Sequence, residues 1–223
     1  MKIAFYGSSL LSSYWNGAAT YYRGILKALA AHGYEITFYE PDAFDRQQHR
    51  DIDPPEWARS VVYPASEEGL RAVLAEAGQA DIVVKANGVG VYDRELLEGV
   101  LAQSRPHALR LYWDVDAAAT LDEMRADASH PVLRALPELD MVLTYGGGPP
   151  VVEAYEGFGA ARCIPVYNAL DPDTHHPVPR DERFAADLGL LANRLPDREA
   201  RIEEFFLRPA AQLPGSRFLL GGN

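Results

Sequence analysis

The chain has 223 residues, 48% of them hydrophobic, and a formal net charge of −11. That length fits one large domain or one and a part, and that apolar share excludes a disordered chain. The acidic balance argues against a grip on phosphate backbone or an anionic membrane, so no nucleic acid is expected among the partners.

Cys163 is the only cysteine, which excludes an internal disulfide and a cysteine metal site and fits a reducing cytoplasm. The opening "MKIAFYGSS" is too short an apolar run for a signal peptide, and no stretch approaches the roughly 18 apolar residues of a membrane span. A cytoplasmic location without a membrane span is expected.

In chain order, Ile3–Tyr6 reads as a strand ended by Gly7. Asn16 is expected to cap a helix with Tyr22, Ile25, Leu26 and Leu29 on one face, closed by Gly33. Glu35–Tyr39 is a strand, residues 41–60 an irregular excursion and Val61–Tyr63 a short strand. Ser66 caps a helix carrying Leu70, Val73 and Leu74, closed by Gly78. Asp81–Val84 is a strand, and Asp93 caps a helix with Leu96, Leu97, Val100 and Leu101. Leu109–Trp113 is a strand, followed by a helix with Thr120 and Glu123 at capping-box spacing. Met141–Thr144 is a strand, Pro149 or Pro150 suits the first turn of the next helix, and Cys163–Tyr167 is a strand. Alternation of short, apolar strands with helices predicts an α/β fold, a Rossmann-like doubly wound parallel sheet with helices on both faces.

After Asn168 the pattern breaks into "DPDTHHPVPRDE", which reads as a linker. A strand at Leu188–Ala192, a helix opened by Pro196 and Asp197 with Ile202, Phe205 and Phe206 on one face, and a strand at Phe218–Leu220 follow. The expected organisation is a first domain over 1–168, a hinge over 169–183 and the truncated start of a second Rossmann-like domain over 184–223.

Ligands of open parallel sheets sit beyond the carboxyl ends of the strands. There the sequence offers Ser8, Asn16, Asn87, Tyr145, Gly146 and Gly147 as cleft residues. "WNGAATYYRG" puts Gly17 and Thr20 at a helix N-terminus, either a phosphate site or a point of close helix–strand packing. No G-x-G-x-x-G follows the first strand, and Gly88–Gly90 is too short for one, which speaks against a dinucleotide-dependent redox protein. Asp114 and Asp116 in "YWDVDAAAT" can act as a base or hold a cation; otherwise one caps the next turn and the other is solvated. Arg194 and Arg198 suit a diphosphate clamp, or else pair with Glu199, Glu203 or Glu204. The adjacent His175 and His176 diverge on an extended linker and do not suit a metal, and His32 fits a helix C-terminus.

The first strand and glycine-bearing loop, the helix ending "LAAHGYEITFY" and the hinge "PVYNALDPDTHHP" resemble the GT-B glycosyltransferases. "YWDVDAAATLDE", "LPELDMVLTYGGGPPVVEAYEGFGA" and "NRLPDREARIEEFFL" are similar to their spore-maturation-protein-like, CgeB-type branch. The resemblance covers almost the whole chain. It implies two Rossmann-like domains, an N-terminal one holding mainly the acceptor and a C-terminal one holding a nucleotide-sugar donor. It matches Gly17 and Thr20 to the loop that approaches the donor phosphates, and Arg194 and Arg198 to basic positions of the donor domain. Asp114 and Asp116 fall where the acceptor domain offers polar groups, and no metal or other cofactor is implied. The expected reaction is attack of an acceptor hydroxyl on the donor's anomeric carbon, with Asp114 or Asp116 as the base if the mechanism inverts. With most of the donor domain missing, the chain alone is expected to be inactive. The rival reading is a non-catalytic sugar-binding or assembly module on the same fold.

Overall fold

The computed structural model describes residues 1–168, 171–173, 176–192 and 199–222. The chain divides into two compact units, Met1–Asp171 and Pro172–Asn223.

The first unit holds seven parallel strands: β1 (Lys2–Tyr6), β2 (Glu35–Asp42), β3 (Ala58–Pro64), β4 (Ile82–Ala86), β5 (Leu109–Asp114), β6 (Met141–Thr144) and β7 (Cys163–Pro165). Their order is β3-β2-β1-β4-β5-β6-β7, with every pairing parallel. This is the doubly wound, Rossmann-like arrangement, and the order reverses between β1 and β4. The helices are α1 (Ala18–Ala31), α2 (Glu67–Ala77), α3 (Asp93–Gln103), α4 (Ala117–Ala126), α5 (Pro131–Ala135) and α6 (Gly148–Gly157).

The period of two along each strand decides which side chain meets which helix. Ile3 and Phe5 of β1, Val84 and Ala86 of β4, and Leu111 and Trp113 of β5 share a core with Tyr22 and Leu26 of α1. Their alternates turn the other way: Tyr6 and Val83 meet Leu70 and Leu96 of α2 and α3. Tyr112 and Val142 meet Leu121, Met124 and Tyr155 of α4 and α6. Both sheet faces are covered, which is why the strands read as unbroken apolar runs.

Several local expectations change. β2 runs on to Asp42 and β3 starts at Ala58, so the irregular stretch is shorter than 41–60. β7 ends at Pro165 rather than Tyr167. Ser66 does cap α2, accepting from the Gly69 N–H at 3.1 Å. Asn16 does not cap α1: Gly17 holds the cap position, and the Asn16 amide is spent inside the preceding loop. Asp93 is the first residue of α3, behind Tyr92, and its carboxylate reaches back to the Val89 and Gly90 N–H groups. Thr120 and Glu123 form no capping box, because α4 begins three residues earlier; Thr120 is buried inside it and donates to the Asp116 carbonyl at 3.2 Å. α5 adds a helix between α4 and β6 whose five residues are too few to show a periodicity in sequence.

In the second unit β8 (Leu188–Leu191) and β9 (Phe218–Gly221) pair in parallel. Between them run α7 (Glu199–Ile202), a π-helical turn at Glu203–Leu207 and α8 (Arg208–Gln212). The widened turn has a local cause: Pro209 has no N–H for the Phe205 carbonyl and would crowd it in a regular α-helix. The widening moves Phe205 out of register, so it is exposed, while Phe206 is buried edge-on to Phe218 at 5.6 Å. The expected helix opening at Pro196 and Asp197 lies outside the described residues. Among the described residues no helix is long and apolar enough to cross a membrane.

Candidate functional site

The carboxyl edge of the seven-stranded sheet gathers the loops after β1, β2, β4, β5 and β6. After β1 the loop is tied down throughout. The Ser8 hydroxyl donates to Asn16 Oδ1 at 2.8 Å, and Asn16 Nδ2 donates to the Ser9 and Ser12 carbonyls at 3.0 Å each. Glu40, at the end of β2 and fully buried, accepts from Ser9 Oγ and from the Leu10 and Leu11 N–H groups. The Ser8 hydroxyl and the Asn16 amide therefore shape the loop and are spent within it.

Gly17 and Thr20 stand just beyond, at the start of α1, and both are exposed. Among the described residues the helix has no side-chain cap, and its first turn carries no acidic residue, so its positive end is open there. Gly17 has an ordinary helical backbone (φ −61°), and among the described residues a Cβ built on it would meet nothing within 4 Å. Neither turn geometry nor helix–strand packing requires glycine there. The reverse holds after β6. Gly147 has φ +92° and starts α6, and a Cβ on it would lie 2.2 Å from Val151 Cγ2, so that glycine serves the turn. Gly146 lies beside the ring of the exposed Tyr167, and the half-buried Tyr145 ring packs edge-on against Tyr21 at 4.7 Å.

The two aspartates differ sharply. Asp114 ends β5 and shares the parity of Tyr112, so it points under α4 and α6 and is fully buried. Its Oδ1 accepts from Asn87 Nδ2 and from the Asp116 N–H, each at 2.8 Å, and its Oδ2 accepts the Tyr155 hydroxyl. Burial, then the adjacent Asp114 charge, holds the Tyr155 phenol far above its ordinary pKa, so it stays a donor. Asp116 sits two residues on, exposed at the start of α4, and its carboxylate makes no hydrogen bond among the described residues. The two carboxylates do not converge on one point, which removes the shared cation site that their spacing suggests.

Asp116 lines a cleft of about 530 Å³ with Lys85, Asn87, Thr120, Glu123 and His130. Asn87 also donates to Thr120 Oγ1 at 2.9 Å, which fixes its amide at the cleft mouth. Lys85 is buried by its parity in β4 and pairs with Asp93 at 2.5 Å; burial lowers its pKa while Asp93 opposes the shift. His130 Nδ1 is buried without a partner among the described residues, and its Nε2 lies 3.4 Å from Glu123. Lys85 could have been noticed as the one charge in the strand "IVVKA"; nothing in sequence marks His130 or Tyr155. Arg194, Arg198 and His175 lie outside the described residues.

No family model matches the chain, and no curated protein does. Solved structures do share its fold. One is an alpha-glucosyltransferase in complex with UDP-glucose and DNA containing an abasic site, with TM-score 0.63 and 13% identity over 100% of this chain and 57% of that one. Another is an alpha-glucosyltransferase in complex with UDP and a 13-mer DNA containing a HMU base, with TM-score 0.60 and 13% identity over 94% of this chain and 55% of that one. A third, with UDP and DNA containing a central A:G mismatch, aligns with TM-score 0.56 and 12% identity over 100% of this chain and 66% of that one. The likeness is one of fold, and the chain spans 55 to 66% of the length of these structures.

Proposed function

We propose that the protein is a glycosyltransferase of the GT-B type, in the CgeB-type branch, that moves a sugar from a nucleotide-sugar donor to an acceptor hydroxyl. The observation that carries this reading is the open N-terminus of α1 at the carboxyl edge of the sheet, where Gly17 answers to no packing or turn requirement. Free N–H groups at a helix start suit a diphosphate, whose charge grows as the bond to the sugar breaks. The shared fold with UDP- and UDP-glucose-bound glucosyltransferases supports a nucleotide-sugar donor.

Within this reading Asp116 takes the role of base and Asp114 does not. A base needs an accessible carboxylate, and Asp114 is enclosed with both oxygens occupied. Asp116 is exposed beside a cleft large enough for a sugar-sized acceptor. Asp114 positions it, by accepting its backbone N–H and by fixing Asn87. The acceptor is a hydroxyl-bearing molecule; the charge of −11 argues against extending the neighbours' DNA to this chain.

Calorimetry of the whole protein with UDP-glucose and related nucleotide sugars tests the donor site. Gly17→Val has room to fold but covers the helix start, so it is expected to weaken donor binding about tenfold or more at an unchanged melting temperature. Equal affinity in the folded variant would remove α1 from the donor site.

A further inference from the structure

Among the described residues four non-glycine positions have left-handed backbones: Trp15 (φ 48°), Phe44 (φ 57°), Asp45 (φ 56°) and Tyr92 (φ 53°). A bulky residue there is a genuine outlier. All four lie on the loops that follow β1, β2 and β4, around the point where the strand order reverses. Tyr92 has an ordinary explanation, since its ring packs on the core under α2 and α3. Trp15 and Phe44 do not: they are 53% and 55% exposed.

Both are nonetheless held in place. Phe44 and Asp45 form a tight turn closed by the Arg46 N–H donating to the Ala43 carbonyl at 3.2 Å. Two left-handed central residues there call for Gly, Asn or Asp, so Asp45 fits and Phe44 does not. One side of the Phe44 ring lies against Gly90, where a Cβ would be 2.7 Å from Phe44 Cε2, and the Arg46 guanidinium sits 5.0 Å from its centroid. Arg46 itself is buried and donates to the Ser8 and Val89 carbonyls at 3.2 Å each, clamping the β1 and β4 loops together. Trp15 follows Tyr14, whose ring stacks on His49 at 4.0 Å, and the Ser12 hydroxyl donates to the His49 carbonyl at 2.7 Å. Two large aromatic side chains are thus exposed on loops that hydrogen bonds and ring contacts tie together, an arrangement that lowers the ordering cost of binding.

We propose that Trp15 and Phe44 form a stacking platform for a neutral sugar ring of the acceptor, which makes that acceptor a glycan or glycoside. This rests on the glycosyl-transfer reading. A pyranose presents a C–H face that an aromatic ring can cover while the ring hydroxyls stay in water at its edge. The charge of the rim selects against a polyanion: Asp42 at the end of β2 and Asp45 and Asp53 on the loop after it are exposed, against Arg50.

The test uses the full chain, with maltotetraose, cellotetraose and laminaritetraose as neutral probes and a single-stranded oligothymidylate as the charged one. Trp113 is buried and Trp57 half-buried, so Trp15 is the exposed indole that a bound ring would desolvate. At least one tetrasaccharide is expected to blue-shift the fluorescence, and Trp15→Phe is expected to abolish that signal while calorimetric binding persists. Trp15→Ala and Phe44→Gly are each expected to weaken it about tenfold. Both relieve a strained backbone or remove an exposed side chain, so both fold. UDP-glucose affinity is expected to stay unchanged in them, which separates this platform from the donor site. Saccharide affinity unchanged in both variants, binding of the oligothymidylate alone, or no tetrasaccharide bound at millimolar concentration would each overturn the platform, whether or not UDP-glucose binds.

Discussion

Asp114 and Asp116 stand on two sides of one boundary, the end of β5 and the start of α4, and the fold treats the two regions differently. The strand end is enclosed: Asp114 is fully buried and satisfies Asn87, Tyr155 and the Asp116 N–H. The helix start is open, and Asp116 faces a cleft with a free carboxylate. One acid holds the edge of the sheet in shape and leaves the next one available. A charged residue at the ligand edge is therefore no sign of chemistry by itself; which way the strand points it comes first.

The largest expected effect breaks the enclosed side. Asp114→Ala leaves the buried Tyr155 hydroxyl without an acceptor, at about 1–3 kcal/mol, and takes one acceptor each from the half-buried Asn87 amide, which keeps Thr120, and from the Asp116 N–H. A total of about 2–4 kcal/mol in urea unfolding is expected. Asp116→Ala is expected to stay within about 0.5 kcal/mol, as an exposed site should. Comparable losses in both would erase the distinction.

Next in size is Tyr155→Phe, which removes one donor to Asp114 and nothing else. A hydrogen bond to a charged group is worth about 1.5–3 kcal/mol, and the variant is expected to lose that much stability. A loss below about 0.5 kcal/mol would mean that Asp114 is held without α6.

A smaller effect concerns the tie between α1 and the β2 loop. The Arg23 guanidinium donates to both Asp51 oxygens, at 2.7 and 2.8 Å, and this first of all holds the Asp51 pKa well below the usual carboxylate range. A depressed folded pKa contributes stability above the unfolded value and loses it as pH falls through the folded one. The contribution is thus present at neutral pH and disappears only in strong acid. Asp51 is partly exposed, so Arg23→Gln is expected to cost no more than about 1 kcal/mol at pH 7 and less at pH 2. A cost that grew toward low pH would contradict the pairing.

The smallest effect is a rate. Burial, with Glu156 adding to it, pushes the Cys163 thiol up to about 11. At pH 8 it should react with a disulfide reagent far more slowly in the folded chain than in urea. Equal rates would mean that β7 opens readily.

The fold was readable because strands and helices alternate with glycine and cap residues between them, as at Gly7, Ser66 and Gly78. The site was half readable. That Asp114 and Asp116 lie at the ligand edge followed from the strand before them. That Asp114 faces inward needed Tyr155, 41 residues away and on α6. Thr120 misled because the capping-box spacing also occurs inside a helix, and Asn16 misled because an amide next to a helix start can serve the loop instead. Trp15 and Phe44 carry no sequence signal, since their left-handed backbones are imposed by the loops that hold them.

Turnover of Asp116→Asn in the whole protein, set against Asp114→Asn, tests the glycosyl-transfer account most directly. With a nucleotide-sugar donor and a competent acceptor, Asp116→Asn is expected to lower kcat by about 10²–10⁴-fold, the usual worth of general-base help, at an unchanged melting temperature. Near-parental turnover in a folded Asp116→Asn variant would contradict Asp116 as the base.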